Sequence, residues 1–114
     1  MSDAEQLNET FSALAHPARR AMLAQLATGD ATVKQLAEPF DISMPAISRH
    51  IRILERAGLI IQGQQAQFRP CRLNPAPLRQ VASWAKKHQH IWEARFDQME
   101  TYLKLMTENT DGNE

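Results

Sequence analysis

Asp41-Ile-Ser-Met-Pro-Ala-Ile-Ser-Arg-His-Ile-Arg-Ile-Leu-Glu-Arg-Ala-Gly58 carries the sharpest pattern in the chain. Ser43 offers a side-chain oxygen to the free N–H groups of a helix start. Pro45 falls in the first turn, where a missing N–H costs nothing. Gly58 follows the last periodic residue and acts as a stop. Between them Ile47, Ile51 and Leu54 recur at i, i+4, i+7 and form one apolar stripe. The other side carries Ser48, Arg49, Arg52 and Arg56. Guanidinium forks match guanine edges and phosphates, and small residues at a helix N-terminus permit close approach to a groove. An amphipathic surface helix with a solvated basic face would show the same pattern, so this stretch alone leaves both readings open.

The chain has 114 residues, the size of one domain with a real core. Residues 1–108 read as that single domain and 109–114 as a flexible tail. No apolar run approaches the roughly 18 residues that span a bilayer. The start, Met-Ser-Asp-Ala-Glu, has neither a positive nor an apolar signal segment. Cys71 is the single cysteine, which excludes an internal disulfide framework and suits a reducing compartment. The expected location is the cytoplasm, with no membrane partner. Net charge is zero, but its distribution is polar: from Ile42 to Arg72 five arginines face one acid, Glu55. From Glu93 onward six acids face Arg95 and Lys104. Such a molecule orients its basic pole toward a polyanion.

In chain order, residues 3–14 read as a helix with Leu7, Phe11 and Leu14 at helical spacing. Ala15-His16-Pro17 breaks it, because the residue before proline avoids the α region. Pro17 opens a second helix through Ala27, with Met22, Leu23 and Leu26 inward and Gly29 closing it. Residues 32–38 read as a short third helix capped by Thr32 and closed by Pro39. With Phe40-Asp41-Ile42 as the turn, the third and fourth helices have the helix-turn-helix layout, and the fourth is the recognition helix.

After Gly58 two strands are expected, about 60–64 and 67–73, with a turn at Gln65-Ala66. Pro70 should restrict the second strand to an edge or a bulge. A hairpin directly after a recognition helix is a wing. Asn74-Pro75-Ala76-Pro77 then starts a last helix from about 78 to 106. Leu78, Val81, Trp84, His88, Ile91, Trp92, Phe96, Met99, Leu103 and Met106 follow a near-heptad stripe along it. A domain this small cannot cover that whole stripe, and a two-fold dimer through the first and last helices does so most simply. Leu7, Phe11, Trp84, His88, Ile91, Trp92, Phe96, Met99 and Leu103 are the expected dimer interface. The fold class is therefore mainly α with a small β-hairpin, a winged helix-turn-helix.

Three stretches together resemble an ArsR/SmtB-type winged helix regulator, in the subset lacking a Cys-x-Cys metal site. They are Leu14-Ala-His-Pro-Ala-Arg-Arg20, Thr32-Val-Lys-Gln-Leu-Ala-Glu-Pro-Phe40 and the block from Ser43 to Ile60, and the resemblance runs to about Tyr102. It implies a homodimeric transcriptional repressor whose paired recognition helices enter successive major grooves of a near-palindromic operator. It makes Ser43, Met44, Pro45, Ala46, Ser48, Arg49 and Arg52 candidates for groove and phosphate contacts, with Ser48 and Arg49 on bases and Arg52 and Arg56 on phosphates. His50 lies near the apolar seam, where it either bonds protein or phosphate or reads a base. Arg19 and Arg20 either reach the DNA backbone or pair internally. Arg69 and Arg72 of the wing are candidates for phosphate or minor-groove contact, on a Gln-rich tip.

Family members that sense metal use a Cys-x-Cys pair on the third helix, and Thr32–Glu38 holds no cysteine. His88, His90, Glu93 and Asp97 are the only other raw material, and an exposed polar face explains them as well as a metal does. No metal and no cofactor is expected. Cys71 reads as a buried strand cysteine rather than an oxidant sensor. No nucleophile–base pair, phosphate loop or carboxylate dyad points to an enzyme. Trp84, Trp92 and Phe96 could line an effector pocket but fit dimer core better, so the effector stays open. The competing class of function is a protein-interaction module that uses the aromatic last helix as its working surface.

Overall fold

The computed structural model describes residues 2–63 and 70–111, with side chains through residue 108. Five helices and three strands follow in the order α1 (Asp3–Leu14), α2 (Pro17–Leu26), β1 (Ala31–Thr32), α3 (Val33–Ala37), α4 (Met44–Arg56), β2 (Ile60–Gln62), β3 (Pro70–Leu73) and α5 (Ala76–Asp111). The chain divides into two compact units, residues 1–81 and residues 82–114. The boundary falls within α5.

Each helix of the first unit starts on a side-chain cap. Ser2 Oγ accepts from Glu5 N, His16 Nδ1 from Ala18 N, Thr32 Oγ1 from Gln35 N, and Ser43 Oγ from Ala46 N. At Thr32 the cap is reciprocal, because Gln35 Oε1 accepts from the Thr32 N–H at 2.9 Å. Proline sits in the first turn of both α2 and α4. The stop after α4 is built on Gly58, whose φ of +74° is left-handed. Its N–H donates to Glu55 O, and its carbonyl accepts from Asn74 Nδ2 at 2.8 Å. Asn74 Oδ1 in turn accepts from Ala76 N, so one residue both seals the end of α4 and opens α5.

The core of this unit gathers Met22, Leu23 and Leu26 of α2, Leu36 of α3, Ile47, Ile51 and Leu54 of α4, and Leu59, Ile60 and Cys71 near the sheet. Both expected stripes, on α2 and α4, face inward. On α1 the inward residues are Thr10 and Ala13, while Phe11 stays 38% exposed. Thr10 is tolerated inside because its hydroxyl donates to Gln6 O at 3.0 Å.

Among the described residues the expected antiparallel pair forms as β2 and β3, and β1 adds a third strand in the order β1-β3-β2. One expectation about the sheet is corrected. β1 is only two residues long, too short to show alternation, and it pairs Ala31 with Cys71 and Thr32 with Pro70. The strand with Pro70 is consequently central rather than an edge. Pro70 is the first residue of β3, where a missing donor breaks no ladder in the strand interior, and its carbonyl still accepts from Gly63 N at 2.8 Å. β2 ends at Gln62, before the expected end at 64, while residues 67–69 of the second expected strand and the Gln65-Ala66 turn lie outside the described residues. The last helix is longer than expected at both ends. Of the expected tail 109–114, residues 109–111 belong to α5, and the other half, 112–114, lies outside the described residues.

Candidate nucleic-acid interface

Helix α4 separates its two faces almost completely. Ile47, Ile51 and Leu54 are 0, 2 and 0% exposed, while Arg49, Arg52 and Arg56 all reach solvent. The ends of these side chains are uncommitted to acids: no ion pair among the described residues involves Arg49, Arg52 or Arg56. At the N-terminus Ser43, Met44 and Pro45 are exposed, Met44 by 51%, and Ala46 and Ser48 are half-buried. An open helix start with capped N–H groups, followed by arginines one turn apart, favours negative charge at that end and along that side.

A cleft of about 200 Å³ runs beside this face, lined by Ser48, Ile51, Arg52 and Glu55 of α4, Val33 of α3 and Gln62 of β2. Arg52 therefore stands between the recognition face and the sheet.

His50 departs from the exposed row. It is half-buried, and Arg19 Nη1 donates to its Nδ1 at 3.1 Å. Guanidinium has no acceptor, so Nδ1 carries no proton and the neutral ring is the Nε2–H tautomer. Arg19 also donates to Ala13 O at 2.7 Å and to Ser12 O at 3.1 Å, which closes the C-terminal carbonyls of α1. Of the two roles left open for Arg19 and Arg20, internal pairing is the one observed: Arg20 Nη1 donates to Leu14 O at 2.7 Å. Burial first, then the charges of His16, Arg19 and Arg49, hold the His50 imidazolium below the ordinary histidine range.

In the sheet, Arg72 is bonded by Nε and Nη2 to Asp30 Oδ2 at 3.2 and 3.1 Å. The sequence offers no signal for this pair, since 42 positions separate its members. Arg69 lies outside the described residues. Cys71 is fully buried in β3, and burial together with the Glu55 carboxylate pushes its thiol up, against a Gln62 hydrogen bond that lowers it.

His88 stacks on Trp84 at 4.1 Å between ring centroids, and its Nδ1 donates to Trp84 O at 2.9 Å. Ile91, Trp92, Phe96, Met99 and Leu103 are each 46–60% exposed. Glu93 accepts from Gln89 at 2.9 Å. Among the described residues no group of three or more His, Cys, Asp or Glu side chains is placed to hold a metal ion, and no helix is long and apolar enough to cross a membrane.

Comparison with known proteins places this geometry in a family. A family model described as a helix-turn-helix domain matches residues 14–62, which span α2 through β2. The transcriptional repressor SdpR of Bacillus subtilis is 38% identical over 78 residues, covering 68% of this chain and 87% of that protein. A crystal structure of an ArsR family transcriptional regulator is 42% identical with a TM-score of 0.76, covering 81% of this chain and 95% of that one. A homodimeric winged helix-turn-helix DNA-binding domain from Mycobacterium bovis, solved by NMR, shares the fold at 19% identity with a TM-score of 0.61, covering 80% of this chain and 91% of that one. The chain belongs to the ArsR/SmtB-type family of winged helix-turn-helix transcriptional regulators.

Proposed function

We propose that the protein is a homodimeric transcriptional repressor that reads successive major grooves of a near-palindromic DNA operator with residues 43–57. The observation that carries this reading is the outer face of α4: an open, capped N-terminus followed by Arg49, Arg52 and Arg56, all exposed and, among the described residues, unpaired with acids. Ser48 and Arg49 lie on the side that faces bases, and Arg52 and Arg56 reach phosphates. Ser43, Met44, Pro45 and Ala46 form the small leading edge that lets the helix enter the groove. His50 contributes through Arg19 rather than by base contact. Arg72, held by Asp30, presents a half-neutralised charge to the backbone.

Two copies are needed because one recognition helix reads too few base pairs for a unique site. Dimerisation sets the pair roughly 34 Å apart, one turn of DNA. Leu7 and Phe11 of α1 with Trp84, His88, Ile91, Trp92, Phe96, Met99 and Leu103 of α5 supply the dimer contact. The homodimeric state of the Mycobacterium bovis domain supports this. The repressor function named for SdpR supports the negative sign of regulation.

The test is fluorescence anisotropy on duplexes from the protein's own upstream region, against a scrambled duplex, at two salt concentrations. Saturable binding of one dimer, tighter than to the scramble and steeply weakened by salt, is expected. Arg49→Ala or Arg52→Ala should each raise Kd by about 5- to 150-fold, the loss of one base or phosphate contact, with dimerisation unchanged. Indifference to both substitutions would overturn the reading and move the working surface to α5, whose exposed Trp92 and Phe96 favour a protein-interaction module.

A further inference from the structure

His16, Arg19 and His50 meet at the corner where α1 ends, α2 begins and α4 passes behind them. His16 and Arg19 are each tied to a different piece of backbone, and His50 is tied to Arg19. His16 Nδ1 accepts from Ala18 N at 3.1 Å and so caps α2. Arg19 closes Ser12 O and Ala13 O at the end of α1 and donates to His50 Nδ1 on α4. The two imidazole rings lie 4.5 Å apart between centroids, tilted by 49°. Both Nδ1 atoms act as acceptors, and an acceptor nitrogen cannot carry a proton.

We propose that His16, Arg19 and His50 form a proton-sensitive latch that holds the recognition helix in its DNA-reading position only while the His50 imidazole is uncharged. The proposal rests on the DNA-reading function above and adds a regulatory input to it. A proton on His50 Nδ1 replaces the Arg19 hydrogen bond by two cations at 3.1 Å. Among the described residues no acid compensates. The charges that act on His50 are His16 and Arg19 from α2 and Arg49 from α4 itself. On α1 the acid that shares a cavity with Arg19 and Arg56 is Glu9, and it does not act on His50; nor do Lys34 of α3 and Glu38 at its C-terminal end.

The sign follows from linkage. The folded protein resists protonation of His50 more than the unfolded chain does, so the latch is complete above the ordinary histidine value of 6.5 and is lost as pH falls below it. Simple electrostatics predicts the opposite, because added positive charge tightens non-specific binding to DNA. The two effects are therefore separable by direction.

The experiment measures operator and scrambled-duplex affinity of the full chain from about pH 7.5 to about pH 5.5 at constant ionic strength, beside His50→Asn. Asparagine Oδ1 can accept from Arg19 but does not titrate. His16, His88 and His90 are present in both proteins, so the difference isolates His50. Wild type should lose about fivefold or more in operator affinity across that range, without a parallel loss on the scramble, and His50→Asn should show a much flatter profile. A flat or tightening wild-type profile, or an unchanged slope in His50→Asn, would overturn the latch. If neither duplex is bound at the high-pH end, the DNA-reading function itself fails. The latch is then judged by NMR titration of the imidazole Cε1–H signals. A His50 midpoint below 6.5 that rises in Arg19→Met sustains it, and a midpoint at or above 6.5 overturns it.

Discussion

Residues 44–56 and residues 82–111 are both helical with an apolar stripe, and they differ in where the stripe finds cover. In α4 three side chains carry the stripe, and all three are sealed at 0–2% exposure by α2, α3 and the sheet. Past residue 82 of α5 no described side chain is buried, and Trp92, Phe96 and Tyr102 are about 60% exposed. The first stripe is narrow and closes within one chain. The second is wider, running through Trp84, Ile91, Trp92, Phe96, Met99 and Leu103, more than the thin seam that one partner helix covers. One pattern encodes a fold, and the other, in the function proposed above, encodes an association.

The contrast breaks first if a core residue of α4 proves dispensable. Leu54→Ala should cost about 2–5 kcal/mol, because Leu54 is fully buried in the core cluster and truncating it leaves a cavity; urea denaturation reads this. Next, Trp92→Ala with Phe96→Ala should raise the dimer dissociation constant by about 100-fold or more, seen by sedimentation equilibrium. A dimer unaffected by that pair would place the association surface elsewhere.

Finer substitutions sharpen the picture. Ser43→Ala removes the Oγ that accepts from Ala46 N at 3.3 Å and should cost about 1 kcal/mol in the same denaturation experiment. Arg72→Ala, which breaks the ion pair with Asp30, should change stability by less than about 0.5 kcal/mol. Its side chain is 71% exposed and that of Asp30 43%, so water and salt screen the pair.

Much of this architecture could be read directly. Caps and stops with a single physical cause, such as Ser43, Thr32, Pro17 and Gly58, lie where their chemistry requires. The inward stripes of α2 and α4 were equally legible, because helical periodicity reports burial when a helix packs by one face. The candidate interface was legible for the same reason: whatever is opposite Ile47, Ile51 and Leu54 must face out, and that places Arg49, Arg52 and Arg56. Strand β1 was not legible. Two residues carry no period, and Ala31 and Thr32 pair only because β3 passes beside them. Pro70 misled for a related reason, since a proline forbids interior ladder positions but not the first residue of a central strand.

The sequence by itself determined the helices, their ends, the basic outer face of α4 and the apolar excess of α5, because each follows from local spacing and local hydrogen bonding. Only the tertiary structure decided which polar side chains are already spent. Asn74 on the Gly58 carbonyl, Arg72 on Asp30 and Arg19 on both His50 and the end of α1 are pairings across 16 to 42 positions, apart from the Arg19 backbone bonds. Such pairs form because folding brings unsatisfied donors and acceptors together where water is partly excluded, and no local pattern announces them.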